Sequence, residues 1–199
     1  MRKIIGTTML ALAIGTTIIA GTTATYNVEL GTIAEAKVVA KEFAITGEGD
    51  DSFSDTVKIA PTETITKRFT VSNFDGAIIS ETPMKTTIKI DLKAAENKQI
   101  IPYLTADVYK VENNTRTLVG SKITDGSGSM TFEDGFKLSS TGTTYTYEID
   151  ITWIDTNGTK DSNGNGKSDD VEYAGSNYGN NIQVTVTGTQ VKDATSYIK

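Results

Sequence analysis

The stretch Thr144-Tyr-Thr-Tyr-Glu-Ile-Asp-Ile-Thr-Trp-Ile154 alternates strictly: Tyr145, Tyr147, Ile149, Ile151 and Trp153 on one side, Thr146, Glu148, Asp150 and Thr152 on the other. A period of two puts one face of a β-strand on a core and the other in water. The same pattern recurs outward from it. Ile182, Val184 and Val186 alternate near the end of the chain, Ile88, Ile90 and Leu92 in the middle, and Ile65, Phe69 and Val71 before them, with Lys67 falling on the apolar side. Further strands are expected at Ala36–Thr46, Asp55–Ala60, Tyr103–Val111, Arg116–Ile123 and Met130–Leu138, runs rich in Thr, Val, Ile and Tyr.

Turn-forming clusters separate these runs: TGEGDD, SNFDGA, VENNTR, TDGSGS and SSTGTT. VENNT, between two alternating runs, reads as a hairpin connection. Many short strands at such spacing predict an all-β sandwich of two packed sheets. The one helical pattern is Leu92–Ile100, a turn or two that Pro102 would end. Nothing marks a second domain, so 36–199 reads as one domain, interrupted at 155–180 by a stretch without apolar alternation. A loop of that length in a compact domain is functional or disordered.

At the other end, Arg2 and Lys3 precede an uncharged run from Ile4 to Ala20, and small residues follow at Gly21–Ala24. That order predicts a secretory signal over residues 1–24, cut between Ala24 and Thr25. A retained anchor is the alternative, although Thr and Gly dilute a run that falls short of ~20 apolar residues. A second small-x-small site, Ala34-Glu35-Ala36, stands farther from the apolar run. The chain left after the first cut, roughly 175 residues, suffices for a core without disulfides, and it begins with a half-apolar strand, TYNVELGTI (Thr25–Ile33). Tyr26, Val28 and Leu30 share one side of it, and it must pair within its own sheet or with another chain.

Composition narrows the chemistry. The chain has no cysteine and no histidine, which removes thiolate sites, the commonest general base and the commonest zinc ligand. A net charge of −6 disfavours nucleic acid as a partner. No nucleophile elbow, phosphate-binding glycine loop or zinc helix is present, so no enzymatic activity is expected. The pairs Asp50-Asp51 and Asp169-Asp170 read as solvated surface rather than acid–base dyads. Asn113-Asn114-Thr115 and Asn157-Gly158-Thr159 are glycosylation sequons.

Within 155–180, DSNGNGKSDDVE (Asp161–Glu172) fits the twelve-residue calcium-loop pattern D-x-[DN]-x-[DN]-G-x5-E. Side-chain oxygens would come from Asp161, Asn163 and Asn165, a carbonyl from Lys167, a direct or water-mediated contact from Asp169 and a bidentate one from Glu172, with Gly166 at the sharp turn. Ser168 stands where such loops carry an aliphatic residue, and no amphipathic helix is expected on either flank. Two Asn in place of Asp lower the ligand charge and point to weak, millimolar affinity. The other reading is a solvated loop whose Asp, Asn and Gly favour turns.

Several segments carry a family likeness. GTTATYNVELGTI, with Gly21, Thr22, Ala24 and Tyr26, resembles the processing region of the TasA/camelysin family. Ile59, Pro61, Thr66-Lys67, Phe69, Asn73 and Gly76 are similar to that family's first strand pair, with Thr62-Glu63 where the family has Gly-Asp. YGNNIQVTVTGTQV is similar to its closing strand. The resemblance implies a jelly-roll subunit of extracellular fibres, in a biofilm matrix or surface pilus, exported through a dedicated signal peptidase and attached to membrane only before cleavage. It implies that the arm at 25–35 is donated to the next copy, with Tyr26, Val28, Leu30 and Ile33 as its contacts. A secreted calcium-dependent binding or adhesion module is the alternative. The family's metallopeptidase label finds no His-Glu-x-x-His helix to support it here.

Overall fold

The computed structural model describes residues 41–49, 58–156, 158–175 and 177–199; the arm at 25–35 and the pair Asp50-Asp51 lie outside them. Ten strands occur among the described residues: β1 (Thr46–Gly49), β2 (Thr64–Ser72), β3 (Phe74–Asp75), β4 (Ile78–Ile79), β5 (Met84–Ala94), β6 (Leu104–Glu112), β7 (Thr115–Leu118), β8 (Gly128–Phe136), β9 (Thr144–Trp153) and β10 (Asn180–Gln190). One short helix, α1 (Asp169–Tyr173), and a 3₁₀ turn at Thr195–Tyr197 complete the set. The fold is the expected all-β sandwich. One sheet runs β1-β2-β9-β6-β7, the other β10-β5-β8, and β3-β4 is a small hairpin. Every strand pairing is antiparallel. After β2 the long strands alternate between the two sheets, in the manner of a jelly roll.

The alternation along β9 has its expected consequence. Tyr147, Ile149 and Trp153 are buried and meet Phe69 and Val71 of β2, Leu104, Ala106 and Val108 of β6, and Ile88, Ile90, Phe132 and Phe136 from the opposite sheet in one core cluster. On the outer face Glu148 accepts from Arg68 at 2.6 Å and from Arg116 at 2.8 Å, and Arg116 reaches Asp150 at 2.8 Å. Arg116 comes from β7 and lies over the Tyr109 ring of β6, 4.1 Å from its centroid, to make these contacts. Each half-exposed pair is worth about 1 kcal/mol or less. Their arrangement spans β2, β9, β6 and β7 and so also holds register.

The hairpin expected at VENNT is present: Asn113 and Asn114 take φ of 49° and 62° between β6 and β7. Two successive left-handed residues make the turn whose twist matches antiparallel strands, and Asn tolerates that conformation. The turn before β2 also closes, with Glu63 N donating to Ala60 O at 3.1 Å and Glu63 Oε2 accepting from Ala60 N at 2.8 Å. Pro61 then Thr62, at φ 77°, is type II geometry in which Gly usually takes the second place. Thr62 holds the strained conformation that a glycine would take freely.

Four sequence expectations are corrected. Leu92–Ile100 is not helical: β5 continues to Ala94 because Ile90 and Leu92 face the core and pair with Val184 and Ile182, and a turn follows at Asn97, φ 56°. Cross-strand pairing overrides local helix propensity there. The cluster TGEG, read as turn, is β1, with Thr46–Gly49 opposite Ser72–Phe69. A Cβ on Gly47 would sit 3.6 Å from Thr70 O and 3.7 Å from Val186 Cγ2, ordinary contact distances, so the pairing with β2 rather than a need for glycine makes this segment a strand. Correspondingly, 41–45 is not strand, nor is 58–60, while 36–40 and 55–57 lie outside the described residues. The run at Arg116–Ile123 shortens to β7, and Ile123 makes only an isolated bridge to Ala106.

Candidate functional site

Two places stand apart from the closed core. The first lies where the two sheets part. β10 pairs only with β5, and among the described residues no strand lies along its other edge. Across from it, β1 covers only Phe69–Ser72 of β2. Between β10 and β1 opens a cleft of about 430 Å³ lined by Gly47, Glu48, Gly49, Phe69, Thr70, Val184 and Val186. Parity puts Ile182, Val184 and Val186 on the core side of β10, yet all three remain half-exposed. Toward the end of β10 the cleft narrows: a Cβ on Gly188 would meet Ile45 and Phe43 at 3.0–3.3 Å. A sheet edge above an apolar floor can accept one more strand, its alternate side chains pointing inward.

The second place is the loop between β9 and β10, which has structure of its own. Asp161 accepts the backbone N–H groups of Asn165 (3.1 Å) and Gly166 (2.8 Å). Glu172, carried back on α1, accepts from the Asn163 amide at 3.0 Å and the Asn165 amide at 3.1 Å. Gly164 and Gly166, at φ 64° and 78°, make the reversals that bring these groups together. Asp161, Asn163, Asn165 and Glu172 thus converge. Among the described residues no three carboxylates, histidines or cysteines gather at one point. A cation here would rest on two carboxylates plus amide and backbone oxygens, the hard donors calcium takes. Lys167 N donates to Asn165 Oδ1 at 2.9 Å, within the same turn.

Asp169 does not join that set. Its carboxylate is buried and turned toward the body of the sandwich. It accepts from Ser162 N (2.9 Å), Ser162 Oγ (2.7 Å) and Tyr103 OH (2.7 Å). The Ser162 N–H and then the Tyr103 hydroxyl hold it below the usual carboxylate range. Asp170 accepts from Thr156 Oγ at 2.6 Å and Gly158 N at 3.1 Å. The Asp169-Asp170 pair is therefore not solvated surface: it ties the loop to Tyr103 on one side and to its own first turn on the other. Tyr173 of α1 packs between Tyr103 and Tyr178, and Lys160 lies over the Tyr103 ring. The short helix α1 itself was not expected from the sequence.

Of the residues the sequence singled out, Asp161, Asn163, Asn165, Lys167 and Glu172 are brought together, and Asp169 is set behind them. Tyr26, Val28, Leu30, Ile33 and the Ala24–Thr25 cut site lie outside the described residues, as does Asn157 of one sequon; Asn113 of the other is exposed at its hairpin. Strand donation called for an open groove, but its place beside β10 was not legible, because its floor residues read as ordinary core. Only a strand order that leaves β10 at an edge exposes them. No family model matches the chain, and no curated protein is significantly similar to it.

Proposed function

We propose that the chain is a secreted structural subunit of extracellular fibres or pili, polymerising head-to-tail as the arm of one copy adds to β10 of the next. The observation that carries this reading is the cleft beside β10, whose outer edge no strand covers among the described residues, with its floor of Phe69, Val184 and Val186. β10 is 11 residues long, enough to seat Thr25–Ile33, and Tyr26, Val28 and Leu30 have the spacing to fill the cleft. An arm that leaves its own copy and enters another makes a contact that does not close on itself, and so yields a filament. Signal removal frees the arm.

A chain beginning at Thr25 is expected to form filaments by electron microscopy, and one beginning at Ala36 to stay monomeric. Val184→Lys in the longer chain should block growth, since a charge would then stand in the floor of the cleft. Monomers from the longer chain at every concentration, or filaments from the shorter one, would overturn the reading.

A second reading, a calcium-dependent binding module, is favoured by the convergence of Asp161 and Glu172 on Asn165. Millimolar calcium is expected to raise the melting temperature of the wild type and to leave Asp161→Ala and Glu172→Ala unmoved. The same shift in all three proteins would dismiss the site.

A further inference from the structure

Strand parity places Lys110 on the inner face of β6, in phase with Leu104, Ala106 and Val108, where its side chain is 1% exposed. Its Nζ lies 2.8 Å from Oδ2 of Asp134, a residue of β8 in the opposite sheet whose side chain is 0% exposed. Glu112, two residues along β6 and half-exposed at the rim, reaches the same Nζ at 3.1 Å. The Tyr145 ring covers the ammonium, its centroid 3.6 Å away, and Lys199 O accepts from it at 3.1 Å. On the carboxylate, Oδ1 accepts two backbone N–H groups, Gly135 at 2.7 Å and Lys199 at 3.2 Å, while Oδ2 accepts from Tyr147 OH at 2.8 Å.

We propose that Lys110 and Asp134 condense into an intramolecular amide, Nζ to Cγ, that joins the two sheets covalently. Taking an ammonium and a carboxylate out of water is costly, and moving one proton between them turns both into neutral groups. The pair is then an amine against a carboxylic acid, fixed in contact, so no encounter remains to be made. The amine lone pair attacks Cγ and the C–N bond forms. Charge that develops on Oδ1 falls on the two N–H groups already directed at it, an arrangement suited to a tetrahedral oxyanion. Glu112 takes the second amine proton and returns it to Oδ2, as a general base and then an acid. The C–Oδ2 bond breaks, and one water leaves. Ammonium plus carboxylate gives amide plus water, with no oxidant, metal or cofactor required.

The bond is read by mass, which distinguishes it from a buried ion pair with the same contacts. The denatured full chain is expected to be lighter than its sequence by one water, and protease digestion to release a branched peptide joining the Lys110 and Asp134 segments. The branched peptide does not depend on how the N-terminus is processed. Asp134→Asn should reach the same final mass as the wild type, because ammonia leaves in place of water. Glu112→Gln, changed at the exposed rim, should fold and stay uncondensed. A wild type at its full sequence mass, with linear peptides only, would overturn the proposal. A Glu112→Gln protein as fully joined as the wild type would remove Glu112 from the reaction.

Discussion

Tyr147→Ala is expected to destabilise the protein by about 3–5 kcal/mol, the range for truncating a large aromatic in a core. Tyr147 is fully buried in the middle strand of the larger sheet. Its ring stacks on Phe69 at 5.1 Å between centroids and tilts against Phe132 of the opposite sheet at 5.6 Å. Truncation leaves a cavity where both sheets meet, and also removes the hydroxyl that donates to Asp134. That second loss can be isolated with Tyr147→Phe, which keeps the ring. While the pair is unjoined, leaving one acceptor position of the Asp134 carboxylate short of its donor costs about 1–3 kcal/mol. Burial pushes the Tyr147 hydroxyl far above its ordinary pKa, so it stays a donor throughout the accessible pH range. Urea unfolding of the three proteins measures both steps. Equal midpoints for Tyr147→Phe and Tyr147→Ala would mean that packing contributes nothing there.

Lys110→Ala is expected to cost about as much, 3–5 kcal/mol, by leaving the Asp134 carboxylate buried without its cation. The instructive comparison is the double replacement Lys110→Met with Asp134→Leu. For a simple ion pair, exchanging both charges for apolar groups of similar size is often neutral or stabilising. For a covalent cross-link it is not. Closing a loop of roughly 25 residues removes unfolded-state freedom worth about 3–4 kcal/mol, and the double variant loses all of it. A double variant as stable as the wild type under urea would speak for the ion pair alone; one that remains several kcal/mol below both sheets' native strength fits the joined pair.

Where local chemistry decides the outcome, the sequence was transparent. β9 was readable because its alternation runs its whole length, and the β6–β7 hairpin because two Asn can take left-handed φ without help from elsewhere. β1 and the end of β5 were opaque for the opposite reason. Thr46–Gly49 is a strand because Phe69–Ser72 of β2 lie beside it, and Leu92–Ala94 is a strand because β10 supplies the ladder. Both partners are distant in sequence. The calcium-like spacing named Asp161, Asn163, Asn165 and Glu172, which hydrogen bonds link within the loop. It could not show that Asp169 faces Tyr103, whose position depends on β6. Lys110 and Asp134 carried a signal that went unused: each falls in phase with buried neighbours on its own strand, and a charge in an apolar phase calls for a partner across the core.

The pairing of β2 with β9 joins Thr64 to Thr152 and Ser72 to Thr144, and β5 must wait for β8 and β10 before its edges are satisfied. Neither sheet of the sandwich can therefore be completed from the first half of the chain. Contacts of such long sequence separation make folding slow, because the entropy of closing the loops is lost before the strands repay it. During synthesis, the strands that complete the two sandwich sheets, β8, β9 and β10, are among the last to emerge. This delay leaves the chain without a finished sandwich until its last strand, β10, has been made.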